Sequence, residues 1–180
     1  MAERTFDPDE LAARIEPLLK DILRLAGFNL TFEIQRASAA LDREFENPDL
    51  IVNFDGADAD LLLQNKGELL TALEHTVLEA AGVGERRERV LFDCHDYRMM
   101  RVEELQLAAE AAADRVRRTG VAHRFNPMTS RERRVIHMAL RGEAGVRTES
   151  EGLGPQRRVV IHSAQASAGP QASKPHAPSR

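Results

Sequence analysis

The stretch Ser130-Arg-Glu-Arg-Arg-Val-Ile-His-Met-Ala-Leu140 places Arg133 four residues before His137. Residues four apart lie one turn apart on the same helix face, so the two side chains are neighbours if this stretch is helical. At about 100° per residue, valine, isoleucine and leucine fall on the opposite arc. The other arginines on or beside the basic face are Arg131, Arg134 and Arg141. The stretch therefore predicts an amphipathic helix whose basic face carries His137 and suits the phosphates of nucleic acid.

Two strands are predicted after this helix and one long helix before it. Val146-Arg-Thr-Glu-Ser150 and Arg157-Arg-Val-Val-Ile-His162 read as strands joined through Gly152-Leu-Gly-Pro155. A helix is expected over about 99–118 and a short strand over 121–125. Arg147 and Arg158 lie on the two strands, where alternation sends side chains to both faces, and we expect them to extend the basic surface.

The order and spacing of these blocks, together with Tyr97-Arg-Met-Met-Arg101, resemble the bacterial Jag family. Proteins of this family pair a type II KH domain with a C-terminal domain named for its Arg-x-x-x-His pattern, here called the RxxxH domain. The resemblance is specific from about residue 89 to residue 161. It implies that Arg133 and His137 are the ligand-facing pair of a single-stranded nucleic-acid-binding domain.

The first half of the chain predicts the order α-β-β-α-α-β, which matches a type II KH domain. Asp7 and Pro8 form a helix start, and Pro17 should kink or divide that helix. Strands are expected at 30–34, 50–54 and 89–95, a polar hairpin loop at 42–48, and helical segments at 58–64 and 67–81. The predicted fold is therefore α+β: a KH-like domain over 1–96, an RxxxH domain over 97–162 and a disordered tail over 163–180.

The loop Gln64-Asn-Lys-Gly67 stands where Jag-type proteins carry Gly-Lys-Arg-Gly. A KH domain binds single strands through such a loop because bare backbone amides approach the phosphates. Lys66 and Gly67 match the pattern, whereas Gln64 replaces the first glycine. We expect the KH fold to act chiefly as a platform; the alternative is that Lys66 and Gly67 still contact phosphate.

Charge is divided unevenly along the chain. Residues 1–84 carry 17 Asp/Glu and 7 Lys/Arg, a net of −10, whereas residues 85–180 carry 12 and 18, a net of +6. The C-terminal half can therefore attract a polyanion. A single cysteine, Cys94, and the lack of a signal-peptide core or a membrane-length apolar run indicate a cytoplasmic location without membrane insertion. Cys94-His95 lacks zinc-site spacing, and we expect no metal, cofactor or enzymatic activity.

The combined prediction is a single-stranded nucleic-acid-binding regulatory protein, with RNA preferred over DNA by the resemblance. The resemblance also implies a second KH protein or a membrane-protein insertase as partner. The alternative is a protein-interaction scaffold whose nucleic-acid surfaces have decayed. A further alternative is that Arg133 and His137 hold the domain together by bonding strand carbonyls. If His137 faces phosphate, binding should strengthen below about pH 6.5.

Overall fold

The computed structural model describes residues 7–37 and 48–164, which belong to two compact units over 1–101 and 102–180. The predicted hairpin loop at 42–48 lies outside the described residues except for Pro48. The predicted tail lies outside them from residue 165 onward, while Ser163 belongs to the last strand. None of the helices in the described ranges has both the length and the apolar character that crossing a membrane requires.

The first unit consists of helices packed on a three-stranded sheet. Its elements are α1 (Pro8–Ala26), β1 (Leu30–Arg36), β2 (Leu50–Gly56), α2 (Ala59–Ala80), a 3₁₀ helix (Gly84–Arg89) and β3 (Val90–Cys94). The sheet order is β1-β2-β3, with β1 antiparallel and β3 parallel to β2. Because α2 is interrupted by four non-helical residues at Gln64–Gly67, the order is the predicted α-β-β-α-α-β.

Apolar residues at helical and strand spacing make the core of this unit. Asp7 caps α1 by accepting a hydrogen bond from the Asp9 amide at 2.9 Å. The helix then continues through Pro17 to Ala26, so the expected division at Pro17 is wrong. The buried stripe of α1 packs into the core with the sheet; it comprises Leu11, Ile15, Leu19 and Leu23.

The outer edge of β3 is closed by side chains. Glu74 of α2 accepts a hydrogen bond from the Phe92 amide at 3.3 Å, and Arg98 donates to the Phe92 carbonyl at 2.9 Å. Arg98 and Glu74 also pair at 2.9 Å, and both are largely buried. Two backbone groups that would otherwise be open at an edge strand are therefore satisfied within the unit.

The second unit contains a small antiparallel sheet with the order β4-β6-β5. Its strands are β4 (His123–Arg124), β5 (Val146–Glu151) and β6 (Arg158–Ser163), and its helices are α3 (Tyr97–Thr119), which begins in the first unit, and α4 (Ser130–Ala139). The strand expected over 121–125 is thus only two residues long. The mixed α+β fold is confirmed.

The start of α4 is fixed by the capping box at Thr129–Glu132. The Thr129 hydroxyl accepts from the Glu132 amide at 3.2 Å, and the Glu132 carboxylate accepts from the Thr129 amide at 2.9 Å. These bonds satisfy backbone groups that the first turn leaves open. The capping box therefore sets the register of the helix that carries Arg133 and His137.

Candidate nucleic-acid interface

The side chains of α4 differ in exposure around the helix. Val135, Ile136 and Leu140 are buried, as the apolar periodicity predicts. Arg134 and Arg141 are exposed, and Arg131 is partly buried and engaged in further interactions. The critical pair, Arg133 and His137, is only partly exposed, and His137 faces β5.

His137 is clamped between two hydroxyl groups of β5. Its Nδ1 lies 2.7 Å from Thr148 Oγ1, and its Nε2 lies 2.8 Å from Ser150 Oγ. A neutral imidazole has one donor and one acceptor nitrogen, and each hydroxyl can serve either one. The expectation that His137 sits on a freely exposed basic face is therefore wrong, because hydroxyl-bearing strand residues tie it to the sheet.

Arg133 bonds a backbone carbonyl, although not one of the strand carbonyls that the alternative prediction named. Its guanidinium donates to the Met128 carbonyl at 3.3 Å, in the segment that leads into α4. His137 bonds side-chain hydroxyls rather than strand carbonyls. Both residues thus hold the domain together, and Arg133 retains guanidinium N–H groups that can serve a ligand, since the group carries five donors.

The electrostatic environment of His137 disfavours its charged form. Burial, followed by the charges of Arg133 and Arg157, lowers the pKa of His137 below its usual value. The ring is therefore neutral at pH 7. Any strengthening of phosphate binding by protonation must begin below the expected pH of about 6.5.

Arg157, which the sequence placed beside Arg158 at the last strand, was not among the predicted site residues. Burial and the charge of Arg157 lower the pKa of Arg133, so the two guanidinium groups are close enough to interact. The backbone also joins them, because the Met128 amide donates to the Arg157 carbonyl at 3.1 Å. Arg133, His137 and Arg157 are hereafter called the arginine cluster.

Strand alternation explains why Arg157 belongs to the cluster. Ser150 pairs with Val159 and Thr148 with Ile161, so odd-numbered residues of β6 share the face that meets His137. Arg157 immediately precedes β6 and continues this odd series. The alternation was visible in the sequence, but nothing in the sequence said which face α4 would cover.

The same alternation sends Arg147 and Arg158 to the opposite face. Arg147 pairs with Glu149 at 3.2 Å, and Arg158 stands directly opposite Glu151 in the ladder. Acidic partners therefore accompany both arginines on the face away from His137. The structure does not bring them together with the arginine cluster, in contrast to the expected continuous surface.

The segment around the cluster carries a local excess of positive charge. Residues 120–142 contain five arginines and a single acidic residue, Glu132, whose carboxylate is engaged in the capping box. Arg134 and Arg141 are exposed and add to this field. A polyanion approaching α4 therefore meets a net positive surface.

The Gln64–Gly67 loop has the geometry of a tight helix–helix break. Gln64 has extended backbone (φ −58°, ψ 151°), which accepts a side chain, while Asn65, Lys66 and Gly67 are left-handed with φ of 51°, 63° and 71°. A Cβ at Gly67 would lie 2.7 Å from Tyr97 Cε1, so this position requires glycine. Lys66 is exposed and Gly67 is buried, so the two predicted loop residues differ in access to a ligand.

Comparison with known proteins agrees with this geometry. Residues 103–163 match the family model of the RxxxH domain, the domain named for an arginine and a histidine with three residues between them. The chain is similar to two proteins named RNA-binding protein KhpB. The one from Clostridium symbiosum is 36% identical, and the alignment covers 61% of this chain and 50% of the relative. The one from Bacillus subtilis is 37% identical, with coverage of 59% and 52%. A third, from Lactiplantibacillus plantarum, is 35% identical over 69% of this chain and 39% of its own length.

The chain thus spans about half the length of these relatives or less. The matched region includes the helix and both strands that build the arginine cluster. The resemblance read from the sequence is confirmed: the chain carries an RxxxH domain over residues 103–163 and is similar to proteins of the Jag family.

Proposed function

We propose that this protein binds single-stranded nucleic acid, RNA in preference to DNA, through the arginine cluster. One observation carries the proposal: the Met128 backbone bonds the Arg133 guanidinium on one side and the Arg157 carbonyl on the other, and the positive charge of Arg157 acts on both Arg133 and His137. Bringing two guanidinium groups together costs electrostatic free energy that a bound phosphate would offset. The preference for RNA is supported by the names of the similar proteins.

The residues of the interface take different roles. Arg133 and Arg157 donate to phosphate oxygens, with Arg131, Arg134 and Arg141 contributing to the positive field around α4. His137 positions α4 on β5 through Thr148 and Ser150 and offers the remaining exposed part of its ring to a sugar or base. Because phosphate contacts dominate, binding should be sequence-tolerant and sensitive to salt.

The first unit has the secondary role in this proposal. Its α-β-β-α-α-β order supports a type II KH fold, and its loop offers the Lys66 ammonium and the amides after Gly67 as a weaker phosphate contact. A second KH protein or a membrane-protein insertase as partner, and a cytoplasmic location, belong to the same proposal and rest on the family resemblance.

Fluorescence anisotropy tests the proposal with labelled single-stranded RNA, single-stranded DNA and duplex RNA across a salt series. Arg133→Ala and Arg157→Ala should each weaken single-strand binding about 10- to 100-fold, as expected for a lost hydrogen bond to a charged group of about 1.5–3 kcal/mol. Each should also reduce the salt slope by about 0.7 per phosphate contact removed. Arg147→Ala is the matched control, since its guanidinium pairs with Glu149 on the opposite face.

Equal losses in Arg147→Ala and Arg157→Ala would show that binding follows net charge and would contradict the assigned site. If the wild type binds no single strand at low salt, the nucleic-acid proposal fails. The acidic balance of residues 1–84 then favours the protein-interaction scaffold.

A further inference from the structure

An aromatic pair lies on the same face of the second sheet as the arginine cluster. His123 of β4 stands opposite Ile161 of β6, and the Phe125 amide donates to the Val159 carbonyl at 3.0 Å. Both partners are odd-numbered residues of β6, the series that faces α4. His123 and Phe125 therefore point to the face that carries Arg157, beside the area that α4 covers.

The two rings form a defined unit at the edge of the sheet. Their centroids are 4.8 Å apart with an interplanar angle of 84°, an edge-to-face arrangement. Both side chains are partly exposed, so each pair member retains accessible ring surface. Because β4 is the edge strand of the order β4-β6-β5, no further strand among the described residues covers that side of this sheet.

The His123 ring is uncharged at neutral pH. Burial, followed by the charge of Arg115 on α3, lowers the pKa of His123 below its usual value, so the ring is neutral at pH 7. A neutral, partly exposed aromatic surface binds bases by stacking in single-strand-binding proteins.

The chain itself connects the pair to the arginine cluster. The segment from His123 to Met128 runs antiparallel to β6. It is bonded to β6 from Ile161, opposite His123, to the Arg157 carbonyl, which accepts from the Met128 amide. Ile161 and Arg157 are four residues apart, which is about 13 Å in a strand. At about 3.4 Å per nucleotide in a stacked strand, this distance corresponds to about four nucleotides.

We propose that His123 and Phe125 form a base-stacking platform at the far end of a single-strand track that begins at the arginine cluster. The inference rests on the proposed function and adds to it a contact to bases. Short ligands occupy the arginine cluster alone, and strands longer than about four nucleotides reach the platform.

The lack of tryptophan in the sequence gives a direct assay. Phe125→Trp introduces a single tryptophan, whose emission should be quenched by an RNA of about eight nucleotides but not by an abasic strand of the same length. Leu25→Trp, at a 75% exposed position of α1, is the matched control and should show no quenching. Binding of each strand is monitored separately by anisotropy of a label on the nucleic acid.

Affinity supplies the second measurement. Phe125→Leu should weaken binding of the same RNA about 5- to 100-fold, in the range of one lost base–aromatic stack, and leave the abasic strand and a dinucleotide unaffected. Circular dichroism verifies that the variant is folded. If it is not, the tryptophan variant alone decides the outcome.

The outcomes separate the two proposals. Unchanged tryptophan emission when anisotropy shows the RNA bound, or equal affinity of a folded Phe125→Leu variant, overturns the platform. In that case, a loss of binding in Arg157→Ala still supports the arginine cluster. If no strand binds the wild type, the proposed function and the platform both fail.

Discussion

Replacing His137 by alanine tests whether the histidine anchors α4 to the sheet. The substitution removes two hydrogen bonds, to Thr148 at 2.7 Å and Ser150 at 2.8 Å. At about 1 kcal/mol for each net hydrogen bond, the free energy of unfolding should decrease by about 2 kcal/mol. The two hydroxyls are partly buried and can rebond to water, so the larger cost of a sealed unsatisfied group is not added.

The expected loss is large for a small domain. A change of about 1 kcal/mol shifts the Tm of a domain of about 60–100 residues by about 4–8 °C, so the second unit should melt about 8–16 °C lower. Thermal denaturation followed by circular dichroism at about pH 8, where the imidazole is neutral in both states, measures this shift. Arg134→Ala, an exposed substitution on the same helix, is the matched control and should change stability by less than about 0.5 kcal/mol.

A double-mutant cycle isolates the anchoring contacts from other effects. Once Thr148→Val and Ser150→Ala have removed both hydroxyls, His137→Ala should cost far less than it does in the wild type. Melting of His137→Ala at the same temperature as Arg134→Ala would refute the anchoring role. The histidine would then be a surface residue, as the helical periodicity alone suggested.

Three further predictions concern the protonation of His137, the glycine at position 67 and the ion pair of Arg98 with Glu74. Since the pKa of His137 is lowered in the folded state, the unfolded chain binds the proton at a higher pH than the folded chain does. The free energy of unfolding of the second unit should therefore decrease as the pH falls through about 6.5. In melts at several pH values, His137→Gln should reduce this dependence of stability on pH. Gly67→Ala should lower the Tm more than Gly27→Ala, because both positions are left-handed but only Gly67 would place a Cβ 2.7 Å from Tyr97; equal shifts would contradict this contact. Arg98→Ala removes the ion pair with the largely buried Glu74 and the hydrogen bond to the Phe92 carbonyl. Urea denaturation should therefore show a loss of about 1.5–3 kcal/mol in the free energy of unfolding, and a loss below about 0.5 kcal/mol would contradict a stabilising contact.

Local sequence signals determined the elements of both units. The Thr-x-x-Glu pattern at Thr129–Glu132 forms a capping box, and α4 begins at Ser130. The sequence also predicted the helix break at Gln64–Gly67, but not which of its residues the backbone geometry requires. Sequence comparison treats Gln64 as a lost glycine, whereas the backbone there is extended and accepts a side chain. The glycine that the fold requires is Gly67, since it packs against Tyr97.

The membership of the site depended on tertiary structure. A helical wheel identified Arg133 and His137 as neighbours, because their relation lies within one helix. It could not identify Arg157, which lies much further along the chain and joins them only through the Met128 backbone contact. Nor could it exclude Arg147, because alternation gives two faces and does not say which one a helix will cover.

By itself, the sequence determined the family resemblance, the α+β element order and the arginine–histidine pair, since each is encoded in short-range spacing and capping. Only the tertiary structure decided that His137 is held between Thr148 and Ser150, and that Arg157 rather than Arg147 accompanies Arg133. The physical reason is that helix periodicity fixes angles within one element, whereas packing a helix on a sheet selects which strand face it meets. That selection turns a predicted exposed basic face into a partly buried cluster with a neutral histidine.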